Sequence, residues 1–513
     1  MRAGRLALAV VAAAMMAAGL GCDFLTEGED SRGEDSCTPE CSGRECGGDG
    51  CGGSCGNCSS GQSCVSGVCE EGESACEPEC SGKQCGDDGC GGVCGGCGEG
   101  QVCDYLDQCV SADQGTVDGD LFFEARVPTV DDNGSIVLDQ VSEFPGAGML
   151  AMVFDVQGNV VGGAQVDDQG HFTVPLSRPP SEDDTLLFVT VWAPSLQSDI
   201  APLAVGQSDA GGQAAPGNIV PWAWQVATPP DGYVGSVTIT EDQGSGAIYL
   251  FLFTKLAMQT ILWDILGGDE SGLATLAIVW TPGLAWDCGA CFGKGFTQNM
   301  DGTVFDNSIF ISGEASDSSA WGWAVILHEF GHYVARNYSR DDSPGGSHSL
   351  GVPVVPPFAW SEGWASFFAV STMSRWFGEA VPLYWDIQQG SSFWVDYAQM
   401  TSSGDMVAPD PDGGMEQSLD ENWVAAALWD LWDGNDVPET ESPQDGTALG
   451  TEVVIAAVAT PRFLGGDRGA TGADLVDFVD SVVCGAPSLA ESVVGTLIEH
   501  LGFPYEGEPD CGN

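Results

Sequence analysis

The chain has 513 residues and a formal charge of −61, from 75 acidic residues against only 14 basic ones. This length exceeds what one hydrophobic core organises, so we expect several structural units. The acidic excess argues against nucleic acid and anionic membrane surfaces as partners, because both require a basic footprint on the protein.

The first residues carry an export signal. Arg2 and Arg5 precede an apolar run, Leu6 to Leu20, which is too short to cross a bilayer comfortably. The pattern predicts a signal peptide over residues 1–21 and an acidic tether over 22–36. It resembles a bacterial lipoprotein signal, which implies that Cys22 is lipidated. The bulky Leu20 stands two places before Cys22 rather than three, and ordinary cleavage with full secretion is the alternative.

The cysteine count is consistent with a lipid anchor. The chain has 21 cysteines, and setting Cys22 aside leaves an even number that can pair in an oxidising compartment. We therefore expect an exported protein of the bacterial cell envelope, held at the outer membrane or cell surface by an N-terminal lipid anchor.

A duplicated cysteine-rich module follows the tether, with repeat 1 over residues 37–69 and repeat 2 over 76–109. The cysteines are Cys37, Cys41, Cys46, Cys51, Cys55, Cys58, Cys64 and Cys69, then Cys76, Cys80, Cys85, Cys90, Cys94, Cys97, Cys103 and Cys109. Both units are rich in glycine and poor in large apolar residues, so disulfides must replace a hydrophobic core. Zinc binding by these thiols is the alternative. The repeats resemble cysteine-rich repeats of bacterial surface lipoproteins, which implies a spacer or a cell-surface or wall contact.

Residues 118–235 have the pattern of an all-β unit. Short alternating runs are separated by turn signals, and this spacing predicts a β-sandwich. The unit resembles the small prealbumin-like sandwiches that accompany secreted peptidases. We interpret His171 as a surface or turn residue. The Asp clusters could hold structural Ca²⁺, although none has the EF-hand pattern and solvated turns are the alternative.

The region 245–513 contains an H-E-x-x-H signature, formed by His328, Glu329 and His332 in an apolar run. On a helix the two histidines lie one turn apart on the same face, so their imidazoles can converge on one ion. Glu329 lies beside them, where its carboxylate can reach a water without binding the metal. This pattern is typical of a zinc hydrolase. The alternative is a pair of structural histidines.

Two histidines leave a tetrahedral zinc site one protein ligand short, the fourth place belonging to water. The downstream candidates are Tyr338, Asp341, Asp342, His348 and Glu362. The metzincin pattern requires Gly and His where this chain has Ala335 and Tyr338. The motif H-E-F-G-H followed by W-S-E-G-W-A instead resembles the gluzincin group of zinc metallopeptidases, which includes thermolysin. This resemblance implies a mainly helical α+β zincin domain over 245–513, one Zn²⁺ per domain, and Glu362 as the third ligand.

The chain departs from the gluzincin pattern in two ways. Gluzincins often place an Asp four residues after the ligand Glu to orient the first histidine, but this chain has Ser366. We therefore expect the orienting residue to come from elsewhere, with Asp430 as a candidate. The interval between His332 and Glu362 is also longer than in thermolysin. His348 consequently remains a rival ligand, or a donor to the transition state.

Three further features are predicted from the pattern. We expect Cys288 and Cys291 to form a local disulfide rather than a redox or metal site, and Cys484 and Cys511 to form the last pair. The segment 307–313 is predicted as a strand before the signature helix. In zinc peptidases an edge strand in that place binds the substrate as an added strand.

The sequence thus predicts a multidomain, exported, lipid-anchored zinc metalloendopeptidase that acts on peptide or protein substrates. A different class remains open, a catalytically silent surface adhesion or binding lipoprotein with a vestigial zincin domain. A third possibility is a membrane-tethered scaffold in which the repeats carry the function.

Overall fold

The structure is a computed structural model. The residues that it describes are 115–131, 135–192, 202–208, 217–267, 269–298, 304–317, 319–378, 380–388, 390–433 and 447–511, with short pieces of 62–111. The predicted signal peptide, Cys22, the tether and most of repeat 1 lie outside the described residues.

Each cysteine repeat contains a short antiparallel hairpin. In repeat 1, β1 (Gln62–Val65) pairs with β2 (Val68–Glu71), and in repeat 2, β3 (Gln101–Cys103) pairs with β4 (Cys109–Ser111). In repeat 2 the sulfurs of Cys80 and Cys94, and those of Cys97 and Cys109, lie at disulfide distance. These four cysteines, and Cys85, are therefore used in disulfides, as predicted for this region.

The next part of the chain consists of β-sheets, as its turn spacing predicts. Its strands are β5 (Thr116–Val130), β6 (Ile136–Pro145), β7 (Leu150–Phe154), β8 (Val160–Gln165), β9 (His171–Pro175), β10 (Thr185–Val189), β11 (Val191–Trp192), β12 (Leu203–Ser208), β13 (Asn218–Pro221), β14 (Ala223–Ala227) and β15 (Tyr233–Ile239). One sheet has the order β15-β5-β6, with β9 also paired to β5, and another has the order β14-β10-β7-β8.

These two sheets bury a common apolar layer. Along β5 the buried positions alternate with partly exposed ones, as expected for a strand with one face in a core. The ring of Phe172 on β9 meets that of Phe188 on β10 at a centroid distance of 5.2 Å, which joins the two sheets. His171 lies on the exposed side, beside Asp120, as predicted for a surface residue.

A third sheet joins this part of the chain to the region of the signature helix. It contains β11, β12 and β13 together with β16 (Leu276–Trp280), β17 (Cys291–Gln298) and β18 (Val304–Ile311). The order is β11-β12-β13-β17-β18-β16, and β12 also pairs in parallel with β16. Strands on both sides of the boundary predicted near residue 240 therefore share hydrogen bonds.

The strand before the signature helix is not an edge strand. β18 pairs in parallel with β16 on one side and antiparallel with β17 on the other. Its backbone groups are committed to these neighbours, so the expectation that it receives a substrate as an added strand is wrong.

The rest of the described chain is mainly helical. The helices are α1 (Gly246–Asp264), α2 (Trp323–Tyr338), α3 (Pro356–Phe377), α4 (Glu421–Trp432), α5 (Gly450–Ala459), α6 (Pro461–Gly465), α7 (Leu475–Gly485) and α8 (Ala490–Gly495). A small sheet of β19 (Leu383–Gln388), β20 (Ser391–Asp396) and β21 (Thr401–Ser402) lies between α3 and α4. Apolar side chains of the first two sheets and of these helices form one continuous core.

Local sequence explains the ends of the central helices. α3 starts with two prolines, which the first turn tolerates because its N–H groups have no partner within the helix. It ends at Gly378, whose φ of 66° suits a residue without a side chain. The carboxylate of Asp420 caps α4 by accepting from the Asn422 backbone N–H. α2 has no side-chain cap, and the Asp317 carboxylate accepts from the Ser319 backbone N–H in the turn Ser319–Trp321 that precedes it.

Two disulfides constrain this region, and both were predicted. Cys288 and Cys291 close a short loop before β17, and Cys484 joins α7 to Cys511 in the C-terminal tail.

Among the described residues, no single helix is long and apolar enough to cross a membrane. One bent pair, Leu475–Gly485 with Pro487–His500, meets that test only when the two helices are taken together.

Candidate metal centre

The site depends on a close crossing of α2 and α3. A Cβ atom placed on Gly331 of α2 would lie 2.7 Å from the Cα of Ala365 on α3, so only glycine permits this approach. Gly363 has the same role on the other face of α3, where an added Cβ would lie 2.7 Å from the Cβ of Val424 on α4. These glycines let α3 lie between its two neighbours, with Glu362 facing α2.

Three predicted ligands converge at this crossing. The Oε2 atom of Glu362 lies 3.2 Å from Nε2 of His328 and 3.2 Å from Nε2 of His332. One ligand atom from each of the three residues falls within 4.8 Å of the others. A tetrahedral ion with bonds of about 2.0–2.2 Å spaces its ligand atoms by roughly 3.3 Å. Two imidazoles and a carboxylate at this spacing could hold a metal ion.

The electrostatics of these three residues are coupled. Burial acts to raise the pKa of the Glu362 carboxyl, but the charges and hydrogen bonds of His332 and His328 outweigh it and hold that pKa well below its usual range. Burial acts to lower the pKa of His332, and the Glu362 carboxylate more than reverses this effect. Each charge is thus stabilised by the other, which makes the site a compact pair of opposite charges in a buried environment.

Glu329 is placed differently from Glu362. It is buried beside the two histidines and accepts a hydrogen bond from the backbone N–H of Phe292 on β17. Burial raises the pKa of its carboxyl, although His328 and His332 act in the opposite direction. Glu329 does not belong to the group of converging ligand atoms. A carboxylate near the ligands, with a raised pKa, can exchange a proton with a bound molecule.

Serine hydroxyls on α3 orient both histidines. Ser366 Oγ lies 3.0 Å from Nδ1 of His328, and Ser361 Oγ lies 3.4 Å from Nδ1 of His332. The expectation that residue 366 has no orienting role is therefore wrong, because the serine occupies that place itself. Asp430, the candidate from the sequence, instead lies 3.5 Å from Nε2 of His500.

His348 lies at the margin of the site. Its Nε2 is 3.9 Å from Oε2 of Glu362, while its Nδ1 is held by the Glu421 carboxylate at 2.7 Å. The hydrogen bond that the His348 imidazole donates to the Glu421 carboxylate raises the pKa of His348 to about 9. His348 is outside the group of converging ligand atoms, and a protonated imidazole is a donor rather than a metal ligand.

Other candidate metal sites are occupied by other interactions. Among the described residues, the remaining compact group of potential ligands is Cys85, Cys97 and Cys109, and all three are in disulfides. The predicted calcium turns are closed internally, since Asp155 and Asp167 each accept two backbone N–H groups of their own turns. No Asp or Glu cluster with converging ligand atoms is present in the described ranges.

Several contributors to the site were missed by sequence reasoning. Ser361, Glu421 and the Phe292 backbone N–H come from elements whose contacts are not local in sequence. Ser366 could have been found, because it lies one helical turn after Glu362 and therefore on the same face of α3.

No protein-family model matches the chain, and no match was found among curated proteins.

Proposed function

We propose that the chain is an exported zinc metallopeptidase that hydrolyses peptide bonds. The observation that carries this proposal is the convergence of His328, His332 and Glu362 beside a buried carboxylate, Glu329, that is not one of the ligands. A purely structural zinc site has no use for a base in that position, whereas a hydrolase requires one.

The residues have distinct roles in this mechanism. His328, His332 and Glu362 would hold the zinc, which when bound polarises the scissile carbonyl and acidifies the attacking water. Glu329 takes the proton of the attacking water and passes it to the leaving amine. Its raised pKa suits both steps, because a carboxyl of higher pKa is a better proton acceptor and can later donate.

His348 is the candidate donor to the transition state. Glu421 holds its imidazole in the protonated form, and its Nε2 faces the ligand group from the margin of the site. A fixed positive donor at that position would neutralise charge that develops on the carbonyl oxygen. Tyr384 is an aromatic neighbour of the site, with its ring 5.8 Å from that of His328.

The test separates catalysis from metal binding. Glu329→Gln should reduce hydrolysis of a peptide library by about 100-fold or more, while elemental analysis still finds one zinc per chain. Glu362→Ala should instead lower zinc occupancy, and unchanged zinc would move the third-ligand assignment to His348. Glu416→Gln, at an exposed position, is the matched control. Full hydrolysis by Glu329→Gln would overturn the mechanism.

The silent adhesion lipoprotein is the rival function, and the disulfide-linked repeats are the feature that favours it. Zinc binding with no hydrolysis of any peptide would support that rival.

Membrane attachment through Cys22 is a separate part of the proposal, and it is supported by the signal pattern and the odd cysteine count. Acyl incorporation that persists in Cys22→Ser would contradict it and favour full secretion.

A further inference from the structure

A chain of buried hydroxyl groups extends behind His328. Beyond the 3.0 Å contact from Nδ1 of His328, the Ser366 hydroxyl also hydrogen bonds the hydroxyl of Tyr397. The Tyr397 hydroxyl in turn donates to Oδ1 of Asn422 at 3.2 Å. All four side chains are buried, and they come from α2, α3, the turn after β20 and α4.

The end of this chain determines the direction of every hydrogen bond in it. An amide oxygen can only accept a hydrogen bond, so the Tyr397 hydroxyl must donate its proton to Oδ1 of Asn422. The Tyr397 oxygen is then free to accept from Ser366, and Ser366 is left to accept from His328. The proton of neutral His328 therefore belongs on Nδ1, which leaves the Nε2 lone pair directed at the Glu362 carboxylate.

That arrangement requires a cation. A bare imidazole nitrogen and a carboxylate oxygen repel each other, yet the two atoms lie 3.2 Å apart in a buried site. A proton or a metal ion between them turns this repulsion into attraction. The hydroxyl chain therefore disfavours the other neutral tautomer of His328, which carries its proton on Nε2 and could donate a hydrogen bond to Glu362 without a metal.

We propose that Ser366, Tyr397 and Asn422 are positioning residues that hold His328 in its metal-binding tautomer through a one-way hydrogen-bond chain. This inference rests on the metal site of the proposed function. The three residues are neutral, whereas a carboxylate behind the imidazole would add negative charge and raise the basicity of the ligand. The site thus orients His328 without adding a negative charge behind it.

The two histidines differ in this respect. His332 contacts Ser361 at the longer distance of 3.4 Å, and its main electrostatic partner is Glu362. Loss of the Ser361 hydroxyl should consequently weaken zinc binding less than loss of the Ser366 hydroxyl.

Zinc affinity of the full chain, measured by competition with a chromophoric chelator, tests the proposal. Ser366→Ala and Tyr397→Phe should each weaken zinc binding by about 10-fold or more, within the range seen when partners of ligand histidines are removed. Ser366→Thr keeps the hydroxyl and should restore affinity. Ser371→Ala is the matched control, since Ser371 is buried on the same helix and donates to the Phe368 carbonyl.

A spectroscopic measurement separates positioning from stability. With selective ¹⁵N-histidine labelling, the Nδ1–H proton of His328 in the zinc-loaded chain should exchange slowly, and exchange should accelerate in Tyr397→Phe. Wild-type zinc affinity and proton exchange in both Ser366→Ala and Tyr397→Phe would overturn the inference. Zinc binding without peptide hydrolysis would overturn the proposed function and leave this inference standing.

Discussion

At the scale of single residues, the site assigns different roles to two buried glutamates. Glu362 lies 3.2 Å from both imidazoles, and its pKa is held well below the usual range. Glu329 receives a neutral backbone donor, and burial raises its pKa. The carboxyl pKa values of these two identical side chains thus shift in opposite directions because their contacts differ, and the proposed function uses Glu362 as a metal ligand and Glu329 as a proton carrier.

The first prediction concerns competition between protons and metal. Glu362 raises the pKa of His332, so this imidazole is largely protonated at neutral pH in the metal-free chain. A metal needs the neutral form, so zinc binding should release about one proton at pH 7, and affinity should rise with pH. Calorimetry in two buffers of different ionisation enthalpy measures that release. Glu362→Gln should release less, and binding that releases no proton contradicts the assignment.

The second prediction concerns Asp386, which is 3% exposed on β19. Burial raises the pKa of its carboxyl from 3.8 to about 6. Because the folded pKa is the higher one, the folded state gains protons relative to the unfolded state, and stability declines as pH rises from 4 to 6. A shift of this size corresponds to about 3 kcal/mol.

Asp386→Asn tests this prediction, because an amide cannot ionise. The melting temperature of the variant, relative to that of the wild type, should rise between pH 4 and pH 6. Above pH 7 the difference between the two melting temperatures should stay constant. Asp410→Asn, at an exposed position, should follow the wild type throughout. Parallel curves for Asp386→Asn and the wild type across the whole range would show that this carboxyl is not perturbed.

At the scale of helices and strands, the sequence was informative where the pattern is local. The apolar runs around the signature and around Glu362 predicted α2 and α3, because each has helical spacing over several turns. The prediction failed for β18 as an edge strand, since its pairing with β16 depends on chain segments far apart. Asp430 was misplaced for the same reason, because its helix position does not reveal that His500 is its neighbour.

The helix crossing gives a prediction at this scale. Gly331→Ala places a Cβ against the backbone of Ala365, so α2 and α3 must separate and carry Glu362 away from the histidines. We expect lower zinc occupancy and a melting temperature reduced by several degrees, since overpacking of a core costs about 1–3 kcal/mol. Gly495→Ala, with open space around the added Cβ, is the control. Zinc occupancy equal to the wild type would show that the crossing tolerates a methyl group.

At the scale of the whole molecule, the unit predicted over 118–235 is joined to the unit predicted over 245–513. β12 pairs in parallel with β16. The paired residues run from Leu203 opposite Leu276 to Gly206 opposite Val279. The core is continuous from the first two sheets to the C-terminal helices. A change in composition along the chain shows where a strand-rich segment gives way to a helical one. It does not show which strands of the two segments pair with each other. The sequence therefore could not predict the pairing of β12 with β16.

This connection predicts which fragments fold. The fragment 245–513 keeps every proposed zinc ligand but loses β12 and β13, which leaves one side of β16 unpaired. It also loses β5 and β12, which pack against α1. We expect it to be insoluble or to lack a cooperative thermal transition, because unpaired strand edges and exposed core favour aggregation. The fragment 115–513 retains the third sheet and should unfold cooperatively and bind one zinc. Cooperative unfolding of 245–513 with full zinc occupancy would instead mean that the region forms an independent domain and that the β12–β16 pairing is dispensable.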